Sequence, residues 1–130
     1  MMDCHDRKTA QAVTLYFDTK PISVNAMSRT IPGQRFARSI LSADYRKLKV
    51  NAGRELEAQK PPCVPGPYGC RIAVAKGCRH DIDNVAKAFL DLLAAHNVTD
   101  NDRNCQRLEI WRSDQPQTMI QILSTRDAGE

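Results

Sequence analysis

Residues 70–96 read CRIAVAKGCRHDIDNVAKAFLDLLAAH, and two periodicities meet inside them. Cys70, Ile72 and Val74 alternate with Arg71, Ala73 and Ala75, the period of two expected of a strand with one face buried. The strand continues toward Lys76 or ends at Gly77, and Asp81–Asp83 prolongs or follows it. From Val85 the spacing changes: Val85, Ala88, Phe89, Leu92 and Ala95 share one helical face, while Lys87 and Asp91 lie elsewhere. Asp83 or Asn84 can cap this helix, which ends near His96 and Asn97.

Outward from that unit, Val13, Leu15 and Phe17 alternate with Thr14 and Tyr16, which predicts a strand over 12–17. Residues 21–33, mixed in Pro, Ser, Asn and Gly, read as a loop. Ser42 is a good N-cap, and Tyr45, Leu48, Ala52 and Leu56 follow at helical spacing, so a helix is expected over about 43–59, stopped by Pro61 and Pro62. Four of the seven prolines fall within 60–69, a stiff connector. After an acidic turn at 99–104, Leu108, Ile110 and Arg112 alternate with Glu109 and Trp111. Residues 113–117 turn, and 119–123 return as a strand, so the chain is expected to end in a hairpin. The fold class is then mixed α/β (α+β), one small domain over 12–124 in the order β, α, β, α, β, β. A disordered tail at 1–11 and a C-terminal tail at 125–130 flank it.

A chain of 130 residues excludes a large enzyme with a separate cofactor module. Hydrophobic residues make up 42% and aromatics 5%, a thin core that self-association would help. No apolar run approaches the roughly 18–20 residues needed to span a bilayer, and Asp3, Cys4, His5 and Asp6 spoil a signal-peptide start. The expectation is a soluble cytoplasmic protein with no membrane partner. Five cysteines, an odd number, are expected to be reduced thiols, and the spacing of Cys63, Cys70, Cys78 and His80 matches no paired zinc knuckle. The net charge of +4 says little, but its distribution says more. Eight basic residues (Arg29, Arg35, Arg38, Arg46, Lys47, Lys49, Arg54, Lys60) face three acids between positions 28 and 60, a candidate polyanion surface. Arg46, Lys47 and Lys49 read equally well as the solvated face of the first helix. The acids gather between Asp81 and Asp102.

If Asp81 and Asp83 are extended, their carboxylates point the same way, about 6–7 Å apart at roughly 3.3 Å per residue. Asn84 and the helix N-terminus lie beside them, and Lys87 is one turn along. Asp102 joins them only if the turn after the helix folds back. Three acids without clustered His or Cys form a hard-oxygen environment suited to Mg²⁺ or Mn²⁺, which points to phosphate chemistry. The competing reading is an ordinary cap with first-turn dipole acids and solvated loop acids. His96 reads as a dipole partner at a helix end, Asp91 as the ion-pair partner of Lys87, and Trp111 as packing or interface before base stacking.

The stretch Arg79-His80-Asp81-Ile82-Asp83-Asn84, with Lys87 on the helix and an acidic turn at Asp100-Asn101-Asp102, resembles the signature of RusA-like Holliday junction resolvases. The likeness extends to Pro21, Ser23 and Asn25 after the first strand, to the helix start at 42–46 and to the C-terminal strands. It covers roughly 14–123. The resemblance implies a homodimeric, Mg²⁺-dependent endodeoxyribonuclease, with Mn²⁺ as a substitute for Mg²⁺ and with no small-molecule cofactor. It would resolve four-way DNA junctions by paired symmetric nicks that leave 5′-phosphate and 3′-hydroxyl ends. The setting is recombination or repair, and such proteins are common in prophages. It makes Asp81, Asp83 and Asp102 the metal-binding catalytic acids and Lys87 the basic helper. Ser23, Asn25, Arg29, Arg35, Arg38, Lys76, Arg79 and Asn84 become the DNA contacts. A C₂ dimer matches the near two-fold symmetry of a junction. The chain departs from the pattern at Asn101, where the family often has a second acid, and at His80, where it often has Arg. Asp100 therefore competes with Asp102, which stands in register without a gap. Two alternatives of other classes are a catalytically inactive branched-DNA-binding protein and a small protein-interaction module whose acids merely cap a helix.

Overall fold

A computed structural model describes residues 7–19, 28–30, 39–41, 43–78 and 82–125. In chain order the elements are β1 (Ala12–Phe17), β2 (Ser28–Thr30), β3 (Ser39–Leu41), α1 (Ala43–Ala58), β4 (Tyr68–Val74), α2 (Ile82–Ala95), a 3₁₀ turn (Asp102–Asn104), β5 (Cys105–Arg112) and β6 (Thr118–Ser124). The fold is mixed α+β in one small domain, with a four-stranded sheet in the order β1-β6-β4-β5 and a separate β2-β3 pair. β1 pairs antiparallel with β6, β6 antiparallel with β4, and β4 parallel with β5.

That order corrects the expected C-terminal hairpin. Both strands form where the alternation places them, but β4 lies between them. A turn of five residues reads as a hairpin loop, yet it also reaches across one intervening strand, since two strand spacings are about 10 Å. Burial sorts the strands: Ile120 and Ile122 of β6 are fully buried, while β5 carries the half-exposed Leu108 and stays at the edge. Parallel pairing of β4 with β5 requires a long crossover, and α2 supplies it.

Inward-facing residues of three strands meet the two helices in one core. Leu15, Phe17, Tyr68, Cys70, Ile72, Val74, Ile120 and Ile122 pack with Leu48, Ala52 and Leu56 of α1 and with Val85, Ala88, Phe89, Leu92 and Leu93 of α2. Phe17 and Phe89 meet at 5.5 Å between ring centroids, tilted by 49°. The α2 stripe is rotated slightly from the expected one, because Ala86 and Leu93 are buried and Ala95 is exposed. The opposite sheet face is open among the described residues.

Other expectations are corrected. Residues 28–30, inside the expected loop, form a strand. α2 begins at Ile82, so Asp83 and Asn84 lie within the helix rather than capping it. The tail expected at 1–11 is seated from Arg7 onward. Arg7 is buried, donates two 2.7 Å hydrogen bonds to the Glu57 carboxylate and reaches the Pro61 and His96 carbonyls. Lys8 and Ala10 exchange backbone hydrogen bonds with Cys63. Residues 1–6 and 126–130 lie outside the described residues. Cys63 is disulfide-bonded rather than reduced, whereas Cys70, Cys78 and Cys105 are thiols. Buried beside the 8–10 segment, Cys63 is placed to staple rather than to react.

Edge strand β1 is closed by α1. The Gln59 amide both accepts from the Tyr16 N–H and donates to the Tyr16 carbonyl, as a neighbouring strand would. Glu55 accepts from the Asp18 and Thr19 amides and from the Thr19 hydroxyl.

Arg7, Glu57 and His96 tie the chain start to the ends of both helices, His96 Nδ1 donating to Glu57 at 2.7 Å. Gly53 makes room for this ring, since a Cβ there would sit 2.9 Å from His96 Nε2. Burial pushes the Glu57 carboxyl up, but hydrogen bonds from Arg7 and His96 and their charges outweigh it, and the net pKa lies below the ordinary 4.5. A carboxyl with a depressed folded-state pKa contributes stability above its unfolded value, lost as pH falls through the folded value. Urea unfolding from pH 7 down to pH 3 should therefore show stability falling below about pH 4.5 in the natural chain, and falling less in Glu57→Gln. Parallel profiles would contradict this.

Candidate functional site

α2 decides where the candidate acids go. Asp83 lies exposed in its first turn, where the positive end of the helix favours an anion. Val85, Ala86, Ala88 and Phe89 turn to the core, which leaves Asp83, Lys87 and Asp91, at successive spacings of four, on the outer side. Lys87 Nζ lies 3.7 Å from Asp91 Oδ1, the ion pair expected from the spacing. Because Asp83 is helical, the strand alternation that would aim it alongside Asp81 does not apply to it, and Asp81 lies outside the described residues.

The second acidic group divides its labour. Asp100 Oδ2 accepts from the Gly66 N–H at 2.8 Å and so clips the proline connector to the segment after α2. Asn101 Oδ1 accepts from the Arg103 N–H at 2.9 Å, and its carbonyl accepts from the Asn104 N–H at 3.0 Å, which folds the 3₁₀ turn. An amide does this without adding charge. Asp102 begins the turn, and only its backbone is described.

Topology separates Asp102 from Asp83 within one chain. β4 rises from Tyr68 to Val74, and the chain then leads to the start of α2; Arg112 donates to the Cys78 carbonyl at that end. α2 runs back, and Val98 and Thr99 pair with Val64 near the beginning of β4. Cys105, three residues after Asp102, is in register with Tyr68. Asp102 thus stands toward the C-terminal end of α2, a helix of 14 residues and about 20 Å long, and Asp83 stands at the other end.

Among the expected DNA contacts, Lys76 is exposed in the turn after β4, its N–H donating to the Gln115 carbonyl at 2.9 Å. Arg29 lies on β2 and Asn84 on α2, with only their backbones described, while Ser23, Asn25, Arg35, Arg38 and Arg79 fall outside the described residues. Arg46, Lys47, Lys49 and Arg54 are exposed on α1, opposite its buried Leu48, Ala52 and Leu56. Among the described residues no three His, Cys, Asp or Glu side chains gather closely enough to hold a metal ion; those side chains exclude Asp81 and Asp102. No helix among the described residues is long and apolar enough to cross a membrane. The Cys70 thiol is no nucleophile, because burial, with a smaller contribution from Cys105, pushes its pKa up to about 12.

One feature escaped the sequence reading. Tyr16, Met119, Ala73 and Trp111 align in register across all four strands on the open sheet face. With the 113–117 turn they line a cleft of about 850 Å³. Arg71 stacks over Trp111, 5.4 Å from the ring centroid. The signal was present, since Tyr16, Trp111 and Met119 are apolar residues at outward-facing positions of their strands.

No family model matches the chain, and no curated protein matches it.

Because Asp100 is occupied by Gly66, Asp100→Ala should act on folding. The expected loss is about 0.5–1 kcal/mol, the net worth of one hydrogen bond, read by urea unfolding. No change in stability would show that the clip contributes nothing.

Proposed function

We propose that this chain is a Mg²⁺-dependent structure-selective endodeoxyribonuclease of the RusA-like kind, acting as a homodimer on branched DNA and above all on four-way junctions. The observation that carries this reading is the outer stripe of α2, where an exposed carboxylate at the helix N-terminus, Asp83, stands one turn from an exposed ammonium, Lys87. Folding has spent the apolar residues of α2 on the core and left these two groups at the surface.

The donor set fits a hard cation. Asp81, Asp83 and Asp102 offer only oxygen ligands, the set that Mg²⁺ and Mn²⁺ take and that Zn²⁺ does not favour. When bound, the ion lowers the pKa of a coordinated water and offsets charge on the attacked phosphate. Lys87, held at the same helix end, orients the attacking water or stabilises the anionic transition state. Asp91 lies 3.7 Å from the Lys87 ammonium, one turn further along α2 from Asp83. One oxygen of Asp100 already accepts from the Gly66 N–H, which favours Asp102 as the third acid.

The separation of Asp83 from Asp102 along α2 gives dimerisation a chemical purpose. In a two-fold pair, Asp102 of the partner subunit can approach the α2 N-terminus, and two equivalent sites result. Two sites related by a two-fold axis suit paired nicks in a junction. Phosphate contacts from Lys76 and the basic zone position the DNA, so binding should weaken steeply with salt.

The test is cleavage of a synthetic four-way junction by the purified full-length chain with Mg²⁺. The natural chain should cut, Asp83→Asn and Asp102→Asn should each abolish cutting, and Lys87→Ala should lower the rate by about 10²-fold or more. Asp100→Asn should retain cutting. A natural chain that binds junctions without nicking them, or undiminished cutting by Asp83→Asn, would overturn the reading.

A further inference from the structure

We propose that the cleft on the open face of the sheet binds unpaired bases of single-stranded nucleic acid, with Tyr16 and Trp111 as its stacking platforms. Tyr16, Met119, Ala73 and Trp111 form one row across the four strands. Their sizes make the row concave: the two rings stand on the edge strands β1 and β5, with the slender Met119 and the small Ala73 between them. Three strand spacings put the two ring-bearing positions about 14 Å apart. The 113–117 turn closes one end, and the cleft of about 850 Å³ falls within the roughly 300–1,000 Å³ of ligand sites. Tyr16 is a fixed platform. Its backbone is held by β6 on one side and by the Gln59 amide on the other, yet the residue is 50% exposed.

Charge selects the occupant. On this face β1 and β6 present no charged residue, whereas β4 and β5 present Arg71, Arg107 and Glu109. Glu109 is shared, with Oε2 at 3.8 Å from Arg71 Nε and Oε1 at 3.5 Å from Arg107 Nε. One carboxylate serves two guanidiniums, so a positive charge is left over beside the aromatic row. Arg71 also lies over Trp111, and a guanidinium plane on an indole extends the surface on which a base can stack. Around the turn the charges balance, Lys76 and Arg112 against Asp18 and Asp114, each acid accepting from a glutamine amide. Rings beside a cationic excess are what a single strand uses: its bases stack without regard to sequence and its phosphates take the charge. An apolar peptide would leave the arginine excess without a counter-charge.

The Lys76 N–H donates to the Gln115 carbonyl and Arg112 to the Cys78 carbonyl, so the turn end of the cleft is the end from which the chain leads into α2. A strand lying in the cleft therefore runs toward the end where Asp83 stands. This consequence rests on the proposed nuclease activity; the binding does not.

Trp111 is the single tryptophan of the chain, so its fluorescence reports on the cleft directly. The full chain, in EDTA so that no strand is cut, is titrated with an oligothymidylate of about eight residues, within the site sizes of single-strand binders. Saturable quenching of Trp111 is expected. An abasic strand of the same length carries the same phosphates and should bind about tenfold more weakly, the loss of base stacking. A fully paired duplex should leave the emission unchanged, because its bases are held in their own stack. Tyr16→Ala should weaken binding about fivefold or more, and Tyr16→Phe, which keeps the ring, should stay within a few-fold of natural. Trp111→Ala, followed by anisotropy of a labelled oligothymidylate, should weaken binding likewise. Unfolding midpoints identify any variant that fails to fold, and the comparison with the abasic strand needs no variant. No quenching, equal affinity for the abasic strand, equal quenching by the duplex, or unchanged binding by both alanine variants would each overturn the proposal. Trp111 emission that shifts on dilution of the chain alone would assign the face to a second copy and overturn it too. A chain that binds and is quenched as expected but leaves four-way junctions uncut with Mg²⁺ would overturn the nuclease reading alone.

Discussion

Parallel pairing of β4 with β5 is the constraint from which the rest follows. Two parallel neighbours cannot be joined by a tight turn, so the chain must travel back the length of the sheet, and α2 is that return. The crossover gives the sheet its covered face and brings Val85, Phe89 and Leu93 into one core with Ile72 and Val74. It also fixes the distribution of acids. Whatever enters α2 stands beyond the end of β4, and whatever leaves it stands beside the beginning. Asp83 and Asp102 are parted by the same geometry that makes the core.

The second constraint is closure of what the crossover leaves open. Arg7, Glu57 and His96 gather the chain start and the ends of both helices into one charged knot. Gly53 gives up its side chain to admit the imidazole. On the β1 side the Gln59 amide stands in for a strand, and on the connector side Asp100 holds Gly66. β5 receives no such cover among the described residues.

Local periodicity made the elements legible, because alternation and helical spacing are properties of a few neighbouring residues. β1 spans 12–17 as its alternation predicts, and α1 ends one residue from the expected limit, where Pro61 and Pro62 forbid continuation. Pairing was not legible. Nothing in 113–117 tells whether five residues close a hairpin or reach over a strand, and only the deeper burial of Ile120 and Ile122 relative to Leu108 sorts inner from outer. Arg7 misled for a similar reason, since a charged residue in a polar start gives no local sign of a partner fifty positions away. Of the candidate site, the residue types and the Lys87–Asp91 pair could be read from spacing. The strand geometry assumed for Asp83 could not, because the switch from period two to a helix falls earlier than the first apolar helical residue suggests.

The measurement closest to the heart of this account mixes two inactive chains. If each site takes Asp83 from one copy and Asp102 from the other, a heterodimer of Asp83→Asn with Asp102→Asn contains one doubly damaged site and one intact site. Mixed and allowed to exchange subunits, two variants that separately leave a four-way junction uncut should together nick it with Mg²⁺, on one strand of each symmetric pair. A mixture as inert as its components, with the natural chain cutting in the same assay, would contradict the sharing of acids between copies.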